Sequence, residues 1–359
     1  MSQSDNIKKL HLQIDELDQR LLGLVNKRIE LAKQIGIAKN DSHDNIVYRP
    51  DREANILSRL SEINKGPLET AQVQTIFREI ISISRAAEAR PSVAFLGPEG
   101  TYSQLAVKKH FGSEVKHILC DSIEETFQSV ETRQAQHGVV PVENSTEGGV
   151  SNTLNCLVTT PVTIVGEITL RISHALLGNA ATNESIKTVL GHKQALAQCR
   201  RWLDQHLPLP ERLAVASNAE AARQASLDDD RVAIAGIEAG EVYGLKIIRK
   251  GIEDEPNNST RFLVISNQII EPSGRDKISL LLASRNKAGS LHRLLTPLSD
   301  NGISMTRIES RPSRMGLWEY IFFIDLEGHI NDENIQNALE IIEKEAALFK
   351  ILGCYPRAV

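Results

Sequence analysis

Apolar residues recur at intervals of three and four from the start of the chain: Ile7, Leu10, Ile14, Leu17, Leu21, Leu24, Leu31, Ile35 and Ala38, with Arg28 taking one position of the series. This is a heptad seam on a single helix of about 30 residues, roughly 45 Å long at 1.5 Å per residue. Such a helix cannot bury its stripe alone. Two shorter helical patterns follow. Asp51 to about Ile63 places Ile56, Leu60 and Ile63 on one face, and Thr70 to about Glu88 does the same with Val73, Phe77 and Ile80. Gly66-Pro67 separates them. The pattern predicts an all-α helical unit of three helices over residues 1–90 that dimerises through the long one.

Beyond Pro91 the period changes. Ser92 to Leu96 reads as a buried strand, followed by Gly97-Pro98-Glu99-Gly100-Thr101-Tyr102-Ser103 and a helical stretch from Gln104 to Phe111. Gly138 to Val142 repeats the design, running into Glu143-Asn144-Ser145-Thr146-Glu147-Gly148-Gly149. A strand that enters a glycine-containing turn and then a helix N-terminus offers unpaired N–H groups and a favourable dipole to an anion. Two such turns suggest a small, multiply negative ligand, although either alone is an ordinary βα turn. A third segment, Asn258-Ser259-Thr260-Arg261-Phe262, leads hydroxyl groups into another strand. Strands near Lys187 to Leu190, Leu213 to Ala216 and Val232 to Ala235 alternate with helices, as in an α/β lobe. The polar segment Glu271 to Asp276 is a linker. After it the order is β-α-β-β-α-β, with strands Ile278 to Ala283, Ile303 to Ser310, Trp318 to Leu326 and Ile351 to Tyr355, and helices from about Ser290 to Asn301 and Asp332 to Leu348. That is an α+β ferredoxin-like unit. The expected domains are residues 1–90, 91–270 and 277–359.

Composition narrows the function. A net charge of −5 over 359 residues carries no polyelectrolyte signature, which argues against nucleic acid as a partner. No apolar run is long enough to span a bilayer, and Met1 to Asp5 has neither a basic nor an apolar targeting region, so no membrane association and a cytoplasmic location are expected. Cys120, Cys156, Cys199 and Cys354 are scattered without metal-type spacing, and neither His110 and His117 nor His192 and His206 suggests a metal site. The expectation is no metal and no cofactor.

Arg28 is the odd residue of the seam, because a guanidinium on an apolar face is costly unless it meets an anion. Lys39 lies 11 residues on, returning to the same face within about 20°. Their Cα atoms are then roughly 16 Å apart, a gap two long cationic side chains can close onto a compact dianion. Arg52 and Glu53 precede Ile56 by one turn, and Ser84 and Glu88 continue the stripe of the third helix. Each residue alone is more often part of a surface ion pair.

As a set, these polar interruptions resemble the all-helical chorismate mutase family, an interlocked dimer that rearranges chorismate to prephenate. The resemblance implies pocket roles for Arg28, Lys39, Arg52, Glu53, Ser84 and Glu88, with Arg49 at a substrate-contacting position. His11 stands where many members have an arginine reaching in from the partner subunit, and an imidazole is a poorer carboxylate ligand than a bidentate guanidinium. The segments GPEGTYS, VVPVENSTEGG and STRF, in that order, resemble the prephenate dehydratase family, which implies a two-lobed α/β fold like type II periplasmic binding proteins with prephenate in the cleft. Asn286 to His292 and Glu309-Ser310-Arg311-Pro312 resemble the two phenylalanine-binding motifs of an ACT domain. Effector contacts are implied at Ala288, Gly289, Ser290, Leu291, Glu309, Ser310, Arg311 and Pro312.

Together the resemblances imply a bifunctional isomerase and lyase of phenylalanine biosynthesis, inhibited by phenylalanine and working as a homodimer or larger homo-oligomer. The rearrangement is unimolecular and needs positioning plus charge stabilisation at the ether oxygen. Lys39 and Glu88 are assigned to that oxygen, Glu88 as its protonated form, and Arg28 and Arg52 to carboxylates. Dehydration needs a proton donor at the leaving hydroxyl, which is assigned to Thr260 acting in concert with bond cleavage. Thr101, Ser103, Asn144, Ser145 and Thr146 are the expected carboxylate and hydroxyl contacts, with Arg261 and Phe262 beside Thr260. Two alternatives stay open: a dehydratase whose mutase domain is weakened by His11, and a non-catalytic amino-acid sensor.

Overall fold

The computed structural model describes residues 3–42, 46–180, 182–284, 287–312 and 320–358. The chain divides into two compact units, one of residues 1–49, 55–91 and 111–116, the other of residues 50–54, 92–110 and 117–359.

Three helices dominate the first: α1 (Gln3–Ser42), α2 (Pro50–Ile63, from residue 55 on) and α3 (Thr70–Glu88). α1 runs 40 residues, longer than the seam alone predicts. Proline at the first turn starts α2, and a capping box between Glu69 and Gln72 starts α3. α1 packs on α3 at Gly36, where a Cβ would lie 3.1 Å from the Cα of Glu88. The rest of its stripe is not covered within one chain: Ile14 is 55% and Leu24 67% exposed.

The second unit contains two sheets. The first lobe is built from β1 (Ser92–Leu96), α4 (Tyr102–Phe111), β2 (Lys116–Cys120), α5 (Ile123–Glu131), β3 (His137–Asn144), β4 (Gly148–Gly149), α6 (Ser151–Thr159) and β5 (Thr163–Arg171). The chain then crosses to a second lobe of β6 (Ala175–Gly178), β7 (Thr188–His192), α7 (Lys193–Gln198), α8 (Arg200–His206), β8 (Glu211–Val215), α9 (Asn218–Ala225), β9 (Arg231–Ala235), α10 (Ile237–Tyr243) and β10 (Lys246–Lys250). It returns through β11 (Ser259–Ser266), which lies antiparallel between β3 and β5. Val93, Ala94, Phe95, Val139 and Val140 are fully buried, as expected for strands covered on both faces. The second lobe's sheet has the order β10-β6-β9-β7-β8. Two crossings between two α/β lobes give the arrangement of type II periplasmic binding proteins. The crossing segments are tied together by Ile172 N–H to Asn258 O (2.8 Å) and Ile252 N–H to His174 O (3.1 Å).

The C-terminal part is β12 (Asp276–Ala283), α11 (Ser290–Asp300), β13 (Met305–Pro312), β14 (Tyr320–Glu327), α12 (Glu333–Glu345) and β15 (Leu348–Pro356). The β-α-β-β-α-β order holds. Leu348, expected to end the last helix, instead begins β15, and Trp318 lies outside the described residues. The sheet of this domain does not stand apart. β15 meets β5 in parallel at Gly353 and Ile164, so strands run without interruption in the order β13-β14-β12-β15-β5-β11-β3-β1-β2. Glycine is required at that seam, because a Cβ on residue 353 would sit 2.1 Å from the Ile164 carbonyl oxygen.

Candidate active sites

In the helical unit the pairs expected from sequence assemble in part. Lys39 Nζ donates to Glu88 Oε2 at 2.9 Å and to Ile46 O at 3.0 Å. Arg28 donates to the Ser84 hydroxyl and, at 3.2 Å, to Ile80 O. The close approach at Gly36 brings α3 within reach of Lys39, one turn along α1. Arg49 is the N-cap residue of α2, with Arg52 exposed and Glu53 half-buried in the helix's first turn. His11 is exposed on α1, 17 residues before Arg28 and so roughly 26 Å along the axis.

The second unit holds a cavity of about 650 Å³ between its lobes. Thr260 and Asn144 face each other across β11 and β3. The Asn144 side-chain oxygen accepts from Thr146 N–H (3.0 Å), the Thr146 hydroxyl (2.6 Å) and Glu147 N–H (3.2 Å). That saturation turns the amide nitrogen toward Asn258 Oδ1 (2.9 Å) and Thr260 Oγ1 (2.8 Å). Thr260 therefore accepts from Asn144, and its own hydrogen is available to a group in the cavity. Thr101, Ser103 and Phe262 also line this space. Ser145 does not. Its hydroxyl accepts from Ser259 N–H (2.9 Å) and reaches Asn258 Oδ1 (3.4 Å), stitching the turn to β11.

Arg261, expected beside the substrate, takes a different place. Side chains alternate along a strand, so the residue after Thr260 points to the opposite face. Its guanidinium bonds Glu167 Oε2 (2.8 Å), Asp325 Oδ2 (2.6 Å) and the Tyr355 hydroxyl (3.0 Å). Lys277 completes the cluster on Glu167 at 2.8 Å, leaving two cations against two carboxylates. Tyr355 is held well above its ordinary phenol pKa by burial, then by Asp325.

The cavity contains groups that the sequence did not single out. His174, from the first crossing segment, lies 3.2 Å from the Tyr102 hydroxyl and 2.9 Å from Gln198 Oε1. Burial pushes its pKa down, opposed by Gln198 and Glu253. Burial also keeps Tyr102 a phenol, donating to Ser173 O at 2.7 Å. Gln198 reaches from α7 toward Thr146 Oγ1 (3.5 Å), bridging the lobes. The N-terminal turns of α4, α6 and α9 line the same space, and α6 starts at Val150 with no side-chain cap. Helix N-termini converging on one cavity favour a ligand with more than one negative group.

In the C-terminal domain, Gly289 precedes α11 with φ of 76°, Leu291 is half-buried, and Arg293 donates to Ser290 Oγ (3.1 Å) and Ala288 O (3.4 Å). Asn286 lies outside the described residues. The second expected effector segment divides by strand alternation. Ser310 and Pro312 are exposed, whereas Glu309 and Arg311 turn toward the dehydratase lobe, where Arg311 bonds Ser151 O at 3.1 Å.

Fold and sites define a multidomain enzyme: a helical mutase domain, a two-lobed α/β dehydratase domain and an ACT domain. The Chorismate mutase type II family matches residues 10–89, Prephenate dehydratase residues 93–269 and the ACT domain residues 278–344. The bifunctional chorismate mutase/prephenate dehydratase of Stutzerimonas stutzeri is 47% identical over 364 residues, covering 100% of both chains. That of Neisseria gonorrhoeae is 49% identical over 349 residues, 96% of each. Among solved structures, prephenate dehydratase from Arthrobacter aurescens in complex with L-Phe superposes with a TM-score of 0.68 at 31% identity, covering 74% of this chain and 90% of that one. The chain belongs to the bifunctional chorismate mutase/prephenate dehydratase family.

Proposed function

We propose that the chain catalyses two consecutive reactions, chorismate to prephenate in the helical domain (residues 1–90) and prephenate to phenylpyruvate in the cleft at Thr260 (residues 91–270). One observation carries the second assignment: Asn144 donates to Thr260, so the threonine hydrogen is directed to the substrate. As that proton reaches the ring hydroxyl, the C–O bond breaks and water leaves. The ring–carboxylate C–C bond breaks in the same event, releasing CO2, its electron pair makes the ring aromatic, and the Thr260 oxygen takes a proton back from water, so one solvent proton is consumed per turnover. The hydroxyl is too weak an acid to protonate first, so the steps are concerted. The helix N-termini and Ser103 hold the carboxylates, with Asn144 and Thr146 building the turn around the leaving group.

For the rearrangement, Lys39 supports the ether oxygen and Arg28 a carboxylate, with Arg52 and Glu53 completing the pocket. Glu88, bonded to Lys39 at 2.9 Å, is assigned to the same oxygen. The exposed seam of α1 is covered by the same helix of a second copy, which also delivers His11 to the partner's pocket. The ACT domain (residues 277–359) binds phenylalanine and lowers dehydratase activity, a reading supported by the Arthrobacter aurescens relative's complex with L-Phe.

Incubating the full-length protein with chorismate and following phenylpyruvate absorbance at alkaline pH tests the proposal. Phenylpyruvate is expected. Turnover of added prephenate with chorismate untouched would instead mean a dehydratase with a vestigial mutase, and no turnover of either would leave the sensor reading.

A further inference from the structure

Strand β13 and one lysine of β15 hold the dehydratase turn and helix that border the cleft. Arg307 Nε bonds Glu143 Oε2 at 2.9 Å, immediately before Asn144, and the same guanidinium bonds Glu309. The Glu309 carboxylate lies against Gly149, so closely that a Cβ there would be 2.4 Å from its oxygen. Arg311 donates to Ser151 O (3.1 Å) and reaches Asn155 Oδ1 (3.5 Å) in the first turns of α6. At the other end of α6, Lys350 Nζ donates to Leu157 O (3.0 Å), Val158 O (3.2 Å) and Thr160 O (2.7 Å). These are carbonyls that a helix leaves without intrahelical partners, and a cation there also complements the helix dipole.

We propose that the ACT domain supplies positioning residues for the dehydratase reaction, with Arg311 and Lys350 fixing α6 at its two ends and Arg307 and Glu309 fixing the β3–β4 turn. The inference rests on the reading that prephenate occupies the cleft at Thr260. The uncapped start of α6 faces that cleft, so the aim of its N–H groups at a substrate carboxylate depends on where the ACT domain holds the helix. None of the four residues lines the cavity, so none is a catalytic residue.

The test uses the full-length enzyme. Lys350→Met keeps the side-chain stem and removes the cation; it is expected to raise KM for prephenate about tenfold with a smaller change in kcat, because a misplaced binding group weakens substrate alignment. Lys350→Arg, which still reaches the carbonyls, should restore KM, and chorismate rearrangement should be unchanged in both. A second route avoids the helix end: Gly149→Ala should raise KM by pushing against Glu309, and adding Glu309→Ala should recover part of the loss. Parent-like KM in folded Lys350→Met, a raised KM that Lys350→Arg does not restore, or purely additive effects at Gly149 and Glu309 would overturn the proposal. Thr260→Ala keeps the two questions apart. Undiminished prephenate turnover in that variant would move the substrate out of this cleft, whatever Lys350 does.

Discussion

At the scale of single residues, the polarity of hydrogen bonds decides what the dehydratase cleft can do. Asn144 is locked by three donors on its oxygen, and this fixes the direction of the bond to Thr260. His174 adds a pH dependence. It is buried between Tyr102 and Gln198, and burial depresses its pKa from the ordinary 6.5. Below that value the unfolded chain takes up a proton that the native imidazole refuses, so the native state loses stability as pH falls from 6.5 toward the depressed value. Above 6.5 both states are neutral and the contribution is constant. The slope can reach about 1.4 kcal/mol per pH unit within that window. Urea midpoints followed by tryptophan fluorescence between pH 7 and 5 should fall less steeply in His174→Gln than in the parent; parallel slopes would contradict this account. Thr260 and Asn144 were legible because hydroxyl and amide groups ending a strand have a chemical reading. Arg261 misled because proximity in sequence is the wrong guide on a strand, where neighbours face opposite sides. His174 and Gln198 were not legible. Each is a lone polar residue with no spacing to mark it, and only the folded crossings bring them to Thr260.

At the scale of elements, helix α1 was readable from its period; its seam residues are exposed, as are Leu12, Leu22 and Ile37 outside the seam. Its full length was not, since propensity continues past the last seam residue. Strand β5 was missed altogether. Glycine and charged residues interrupt its apolar run, and its Glu167 is buried only because Arg261 and Lys277 meet it. The α1–α3 contact yields a prediction at this scale. A Cβ at Gly36 would already lie 3.1 Å from the Cα of Glu88, so the larger side chain of Gly36→Leu pushes the helices apart beside the Lys39–Glu88 pair. Overpacking of this kind costs about 1–3 kcal/mol. Chorismate turnover should fall at least tenfold while prephenate turnover stays at the parent value. Parent-like mutase activity would show that the helix spacing at Gly36 does not set that site.

At the scale of the whole molecule, two kinds of chemistry occupy separate parts of one chain, and the third domain is built into the second. The three-domain order was legible because each segment has its own period and motifs. The continuous sheet from β13 to β2 was not, because the β15–β5 junction is a single backbone pairing between segments nearly two hundred residues apart. The same holds for the Arg261, Glu167, Asp325 and Lys277 cluster, whose charges look unrelated until the domains join. In this arrangement β13 carries an outward face at Ser310 and Pro312 and an inward face on α6. If Thr260 serves one reaction and the helical domain the other, a single variant separates the two activities. Supplying chorismate to folded Thr260→Ala tests it most directly. Chorismate should disappear at the parent rate and prephenate should accumulate in equal amount, with almost no phenylpyruvate. Loss of both activities together, or phenylpyruvate formed at the parent rate, would contradict the account.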